Sequence, residues 1–151
     1  FHDLPEAVTR DIISPVKQAT DDLPNIVKKI ENEIVNKELV PLMEDFFVNE
    51  IIDFTSDEFS NRIKDSDGKV VNVSWEDLNE KYNEEKYFPI DGRLVRIADH
   101  LSALMEADIS IKHGITSIHL QNGRDGLLNS YDQNEIINGI DVYSLFNEIV
   151  S

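Results

Sequence analysis

The amino-acid sequence predicts an all-α fold, and two observations lead to this prediction. Apolar residues recur at helical spacing over most of the chain, above all between residues 23 and 53 and between residues 92 and 112. The alternating pattern that is typical of a strand is confined to two short regions. We therefore expect a helical bundle that could include a short two-stranded element, formed by the regions 65–75 and 115–120.

The first helical segment is short and is followed by a loop. It runs from His2 to Arg10. Because a proline costs about 3 kcal/mol in the interior of a helix, this segment either begins near Pro5 or is kinked there. A Ser-Pro dipeptide at position 14 then indicates that residues 11–22 form a loop.

Two consecutive amphipathic helices are predicted next. The first begins near Leu23, with Asp21 or Asp22 as its N-cap. The second begins at about Leu39, with Pro41 close to its start. In both, the apolar residues recur every three or four positions, so each helix has one face that is suited to a core.

The helical pattern weakens between residues 54 and 91. Asp65-Ser66-Asp67-Gly68 indicates a turn, and the apolar residues at 70–73 predict a short strand or an extended arm. The region 54–91 is either an insertion on the helical core or a mobile flap over a site. The sequence alone does not separate these two interpretations.

The strongest helix pattern covers Gly92 to Lys112, with His113-Gly114 as its C-terminal stop. Asp141 is predicted to cap a last helix that runs to about Val150. Between these two helices and at the start of the last one, three glycines predict loops: Gly123, Gly126 and Gly139. We treat residues 1–151 as a single domain.

Composition excludes several classes of function. The chain has 30 acidic and 14 basic residues, and its net charge of −16 repels nucleic-acid polymers and anionic membranes. No apolar run approaches the ~20 residues that span a bilayer. The absence of cysteine excludes disulfides and thiolate metal sites and favours a cytoplasmic location. A small phosphorylated substrate is compatible with this acidity, because a bound metal ion reverses the local sign of the potential.

A candidate cation site lies at the start of the chain. Glu6 follows His2 by four residues and Asp3 by three, so in a helix the three side chains share one face. Imidazole and carboxylate groups together are typical ligands of divalent metals. The alternative is that these residues form an ordinary solvated helix face.

Asp99 is a second candidate for chemistry. It lies in the middle of the strongest predicted helix, between residues that are suited to a core. A buried, ionised carboxylate is costly unless a metal ion or hydrogen bonds compensate its charge. The alternative is a narrow polar stripe on that helix, which would leave Asp99 exposed.

These two regions resemble the HD-domain metal-dependent phosphohydrolases, in particular the branch that contains bacterial 5′-deoxynucleotidases. His2-Asp3, Glu6 and residues 11–17 (DIISPVK) resemble the start of that family's catalytic region. Residues 94–103 (LVRIADHLSA) resemble the helix that carries its last metal-binding aspartate. The resemblance implies an HD-type helical bundle in which two histidines and two aspartates hold a divalent ion.

The resemblance also implies a role for each matching residue. His2, Asp3 and Asp99 would bind the metal ion, which could be Mn, Co, Mg, Fe, Ni or Zn. Glu6 would orient or deprotonate the attacking water, and Asp11 would support water or substrate. Two basic residues are further candidates for contact with the substrate phosphate: Lys17 and Arg96.

The sequence departs from the family pattern at two points. The family's first histidine lies upstream of the His-Asp doublet, so we expect this domain to lack N-terminal helices. Arg10 stands where close relatives usually carry glycine. We expect hydrolysis of a phosphomonoester, in particular of a nucleotide. The alternative is a degenerate HD domain that binds a nucleotide or a protein without turnover. The sequence leaves the oligomeric state open, with a homodimer among the options.

Overall fold

The computed structural model describes residues 4–10, 22–55 and 57–150, apart from the side chains of residues 9, 53 and 54. The chain divides into two compact units, Phe1–Glu58 and Phe59–Ser151, which are treated separately below. Among the described residues, helices dominate both units, and the strands form two small sheets of two strands each. The prediction of a mainly helical fold is therefore confirmed.

The described residues of the first unit contain three α-helices, named here α1 (Glu6–Thr9), α2 (Leu23–Ile34) and α3 (Asp45–Thr55). Helix α1 begins directly after Pro5, which agrees with the option of a helix start near this proline. Helices α1 and α2 contact each other. The prediction of two consecutive helices between residues 23 and 53 is confirmed.

The second of these two helices begins later than predicted. Helix α2 continues into a π-helical turn at Val35–Leu39 and a 3-10 turn at Val40–Leu42, which contains Pro41. Met43 then takes an extended conformation, with φ −101° and ψ 150°. This break ends the helical path, so α3 starts at Asp45 and the predicted start at Leu39 is wrong.

The second unit opens with a hairpin of β1 (Arg62–Lys64) and β2 (Val70–Asn72). In the turn, Oδ1 of Asp65 accepts hydrogen bonds from the backbone N–H groups of residues 67 and 69, both at 2.9 Å. The other edge of β1 is bonded to Ile90 through two backbone hydrogen bonds, of 3.0 and 2.9 Å. Helix α4 (Trp75–Lys81) follows the hairpin. The predicted turn and the predicted strand near residue 70 are confirmed.

The core of the second unit forms around α5 (Gly92–Lys112), which packs against α6 (Ile118–Leu128) and α7 (Val142–Val150). The bounds of α5 are those predicted from its apolar periodicity and its C-terminal stop. Oδ1 of Asp91 accepts a hydrogen bond from the backbone N–H of Leu94 at 3.0 Å, and Gly114 has a positive φ of 93°. The buried cluster in this core consists of Ile97, Leu104, Ile137, Val142 and Phe146.

The region 115–120 was predicted as a strand, and this prediction is wrong. Ile118 begins helix α6, which also contains Gly123 and Gly126, two glycines predicted to lie in loops. Each glycine costs about 1 kcal/mol in a helix, but the packing of Leu127 and Leu128 against the core compensates for this. The second hairpin instead consists of β3 (Ile136–Ile137) and β4 (Ile140–Asp141).

The β3–β4 hairpin turns through Asn138 and Gly139, which have φ values of 49° and 80°. An Asn-Gly pair between apolar residues is a strong hairpin signal in a sequence, because both residues tolerate positive φ. The predicted break at Gly139 was therefore correct, but the hairpin around it was missed. None of the helices in the described ranges has the length and apolar character of a membrane span.

Candidate active site

Three of the predicted site residues lie in the part of the chain that the structure describes: Glu6, Arg96 and Asp99. The other four lie outside the described residues: His2, Asp3, Asp11 and Lys17. Glu6 belongs to the first unit, whereas Arg96 and Asp99 belong to the second. The predicted convergence of Asp99 with His2 and Asp3 on one metal ion stays a prediction.

Asp99 lies in the N-terminal half of α5, and its side chain is half-buried. It is thus neither fully buried nor fully exposed. Arg96 precedes it by three residues, so both side chains lie on the same side of the helix. Burial lowers the pKa of His100, and the charges of Asp99 and Arg96 then shift it in opposite directions. By its helical spacing, α5 therefore carries a carboxylate and a guanidinium group on the same side.

His100 has a structural partner in the segment that follows α6. The hydroxyl group of Tyr131 lies 2.9 Å from Nδ1 of His100, and the Tyr131 ring packs edge-on against Phe146 at 5.1 Å. Burial raises the pKa of the Tyr131 hydroxyl and lowers that of the His100 ring. Both groups are therefore neutral near pH 7, and their hydrogen bond fixes α5 against the segment after α6.

Two arginines on α5 lie over aromatic rings, but they differ in their ion pairing within the described residues. Cζ of Arg93 lies 5.1 Å from the centre of the Trp75 ring, and its guanidinium group pairs with Glu135 at 2.6 Å. Cζ of Arg96 lies 4.5 Å from the centre of the Phe59 ring. Within the described ranges no carboxylate forms an ion pair with Arg96, which is exposed. Arg96 is therefore suited to bind an external anion.

The position of Phe59 depends on Gly92, the first residue of α5. A Cβ atom at Gly92 would lie 2.5 Å from the backbone nitrogen of Ser60 and closer still to the carbonyl group of Phe59. Only glycine allows this approach of the backbone. Oδ1 of Asn61 also accepts a hydrogen bond from the backbone N–H of Arg93, at 3.3 Å. No local sequence pattern identifies Phe59 as part of the site. The available signal was the glycine directly after the helix cap Asp91, which indicates a close approach of another backbone segment.

Glu6 begins helix α1, and its side chain is half-buried. The backbone N–H of Arg10 donates a hydrogen bond to the carbonyl oxygen of Glu6 at 2.8 Å and closes the helix. Arg10 has φ 62° and ψ 154°, a conformation that glycine adopts readily and other residues rarely. The backbone at Arg10 is therefore strained, at the position where the sequence resemblance implies a glycine.

The residue types of the predicted metal site fit a divalent cation. One imidazole and two carboxylates are typical ligands of transition metals, and the half-buried carboxylate of Asp99 is one of them. The described residues contain no cluster of three or more histidine, aspartate or glutamate side chains that could hold a metal ion. Two of the three proposed ligands lie outside those residues, so this observation leaves the predicted site open.

A comparison with protein-family models identifies the family of this chain. The model described as 5′-deoxynucleotidase YfbR-like matches residues 1–135 and thus spans both regions that carry the predicted site. This confirms the resemblance to HD-domain phosphohydrolases, and to their 5′-deoxynucleotidase-like branch, that the motifs suggested. No curated protein matches significantly, and neither does any solved structure.

Proposed function

The chain belongs to the 5′-deoxynucleotidase YfbR-like family, and on this basis we propose that it hydrolyses the phosphomonoester bond of nucleotides with the help of a divalent metal ion. Membership in this family carries the proposal, because the match includes every residue of the predicted site. The exposed Arg96 beside the half-buried Asp99 supports it, since a guanidinium group stabilises the charge on phosphoryl oxygens.

The ligands of the metal ion are His2, Asp3 and Asp99 in this proposal. The ion, when bound, polarises a phosphoryl oxygen and makes a water molecule more acidic. Glu6 orients the attacking water and accepts its proton, and Asp11 supports the water or the substrate. Arg96 and Lys17 donate hydrogen bonds to phosphate oxygens. Hydrolysis breaks a P–O bond, and the products are a nucleoside and inorganic phosphate.

Such a site works mainly through positioning and charge. In phosphoryl transfer, charge is spread over the phosphoryl oxygens, and catalysis relies on groups that stabilise this charge. The half-buried state of Asp99 reduces the screening of its charge by water and favours cation binding. An overall charge of −16 would repel a free phosphate ester, so the bound cation and Arg96 together make the site locally attractive.

The proposal is tested with Asp99→Asn in the full-length protein. Asparagine keeps the shape of the side chain but removes its charge, so metal content and phosphate release from nucleoside monophosphates should fall together. Added metal should restore part of the activity. Glu106→Gln is a matched control, because Glu106 is an exposed carboxylate on the same helix.

Two results would contradict the proposal in different ways. Full metal content together with full activity in Asp99→Asn would exclude Asp99 as a metal ligand. A wild-type protein that binds metal and nucleotide but releases no phosphate from any nucleoside monophosphate would favour the alternative of a non-catalytic binding domain. Metal analysis and phosphate release, measured on the same samples, distinguish these outcomes.

A further inference from the structure

The two arginines of α5 that lie over aromatic rings differ in whether their charge is paired. Arg93 and Arg96 are three residues apart, and each lies over an aromatic ring. The charge of Arg93 is neutralised by Glu135 at 2.6 Å. Arg96 has only its ring contact in the part of the chain that the structure describes. The stacking of Arg96 thus orders a cation that forms no ion pair within those residues.

We propose that Phe59 is a positioning residue, which holds the guanidinium group of Arg96 ready for the phosphate of the substrate, and that Gly92 makes this arrangement possible. This inference rests on the proposed function, because it assumes that Arg96 contacts the phosphate. A free arginine side chain has many rotamers and loses this freedom when it binds an anion. A ring that already restricts the guanidinium group reduces this loss and strengthens binding.

The geometry explains how Phe59 reaches this position. Phe59 comes shortly before β1, and β1 is bonded both to β2 and to Ile90 next to the start of α5. The missing side chain of Gly92 lets the backbone of Phe59 lie against the first turn of α5. Arg96 is four residues after Gly92, on the same helix face, so its guanidinium group meets the Phe59 ring.

The central test is Phe59→Leu in the full-length protein, which keeps apolar bulk but removes the aromatic face. A cation–π contact at an exposed site corresponds to a change of about 2- to 5-fold in affinity. We expect the KM for a nucleoside monophosphate to rise by this factor at nearly constant kcat, because a contact made equally in ground state and transition state affects binding alone. The dissociation constant of inorganic phosphate, measured by calorimetry without added metal, should rise by a similar factor.

Trp75→Leu is the matched control. It removes the ring beneath Arg93, whose charge is already paired. This variant should lower the melting temperature but leave the KM and the phosphate dissociation constant unchanged. Phe59→Tyr keeps a ring and should recover most of the affinity that Phe59→Leu loses. In an Arg96→Gln background, Phe59→Leu should have no further effect on phosphate binding.

The inference is overturned if Phe59→Leu lowers the melting temperature but changes neither the KM nor the dissociation constant of phosphate, since Phe59 would then be purely structural. It is also overturned if the effects of Phe59→Leu and Arg96→Gln on phosphate binding are additive, or if the wild-type protein binds no phosphate. The proposed function fails separately, when the wild type binds phosphate but neither binds metal nor hydrolyses a nucleotide.

Discussion

Nε of Arg124 lies 2.9 Å from Oδ1 of Asp108, a residue that is only 5% exposed, and this contact joins helix α6 to helix α5. Nζ of Lys112 lies 2.9 Å from the other carboxylate oxygen, so both oxygens of Asp108 are paired. A buried carboxylate is tolerated when its charge is matched in this way. The contact helps to hold a glycine-containing helix at the core that supports Asp99.

The first prediction follows from the pKa of Asp108, which is lowered chiefly by the hydrogen bond from Lys112 and also by that from Arg124. Because the folded pKa lies below the ordinary value of 3.8, this contribution to stability is complete above that value. It is lost as the pH falls through the lowered pKa. Below about pH 4, the melting temperature should therefore fall more steeply in the wild type than in Asp108→Asn.

Circular dichroism at a series of pH values measures this effect. At pH 7, Asp108→Asn should melt several degrees below the wild type, because Arg124 loses a buried partner. Asp125→Asn is the control, since Asp125 also contacts Arg124 but its side chain is 64% exposed, and exposed ion pairs contribute little. If the melting temperatures of the wild type and Asp108→Asn changed with pH in parallel, this prediction would be contradicted.

The second prediction compares two glycines at different helix positions. Gly92→Ala places a Cβ atom against the backbone of Phe59 and Ser60 and should destabilise the protein by about 1–3 kcal/mol, as overpacking does. Gly123 lies inside α6 with no atom within 4 Å of an added Cβ, so Gly123→Ala should stabilise by about 0.5–1 kcal/mol. Urea unfolding gives the change in the free energy of unfolding for each variant. Equal changes in the two variants would be inconsistent with the close approach at Gly92.

The third prediction concerns the strained backbone of Arg10. A non-glycine residue at φ 62° and ψ 154° stores roughly 1–3 kcal/mol, and Arg10→Gly relieves this strain. Part of the gain, about 0.4–1 kcal/mol, is lost because glycine increases the entropy of the unfolded chain. The net stabilisation should be about 1 kcal/mol in chemical unfolding. Arg10→Ala keeps the strain and should show no such gain; a gain in Arg10→Ala would point to the side chain instead.

The fourth prediction separates proton transfer from metal binding. Glu6→Gln removes the proposed acceptor of the water proton but none of the proposed metal ligands. Metal content should stay at the wild-type level, while kcat falls by roughly 10²- to 10⁴-fold, as is typical when a general base is removed. Metal analysis and single-turnover phosphate release measure both quantities. A loss of metal in Glu6→Gln would instead place Glu6 among the ligands.

The fifth prediction concerns the hydrogen bond between Tyr131 and His100. Tyr131→Phe keeps the ring contact with Phe146 but removes the hydroxyl group that lies 2.9 Å from Nδ1 of His100. The variant should be destabilised by about 0.5–1.5 kcal/mol, the usual net contribution of one hydrogen bond. Denaturant unfolding tests this. An unchanged midpoint would mean that water replaces the hydroxyl group without cost.

Local sequence signals were sufficient for several elements. Helix α5 has a long apolar periodicity, an aspartate cap at Asp91 and a stop at Gly114, and both of its ends were predicted correctly. The cap of α7 was predicted from Asp141, which accepts hydrogen bonds from the backbone N–H and the hydroxyl group of Ser144. These signals act within one or two turns of chain, so the sequence alone determines them. The motifs at both ends of the predicted site also identified the family.

Tertiary contacts decided the remaining features. Helix α6 forms in spite of two glycines, because its leucines reach the core and Arg124 reaches Asp108. The ring of Phe59 lies beneath Arg96 because the hairpin and Gly92 bring together segments that are far apart in sequence. Helix propensity is a sum of small local preferences, and burial or charge pairing between distant residues outweighs it. The sequence by itself therefore predicted the candidate residues for chemistry. Only the tertiary structure decided that Arg96 is stacked without an ion-pair partner in the described residues, while Arg93 is paired with Glu135.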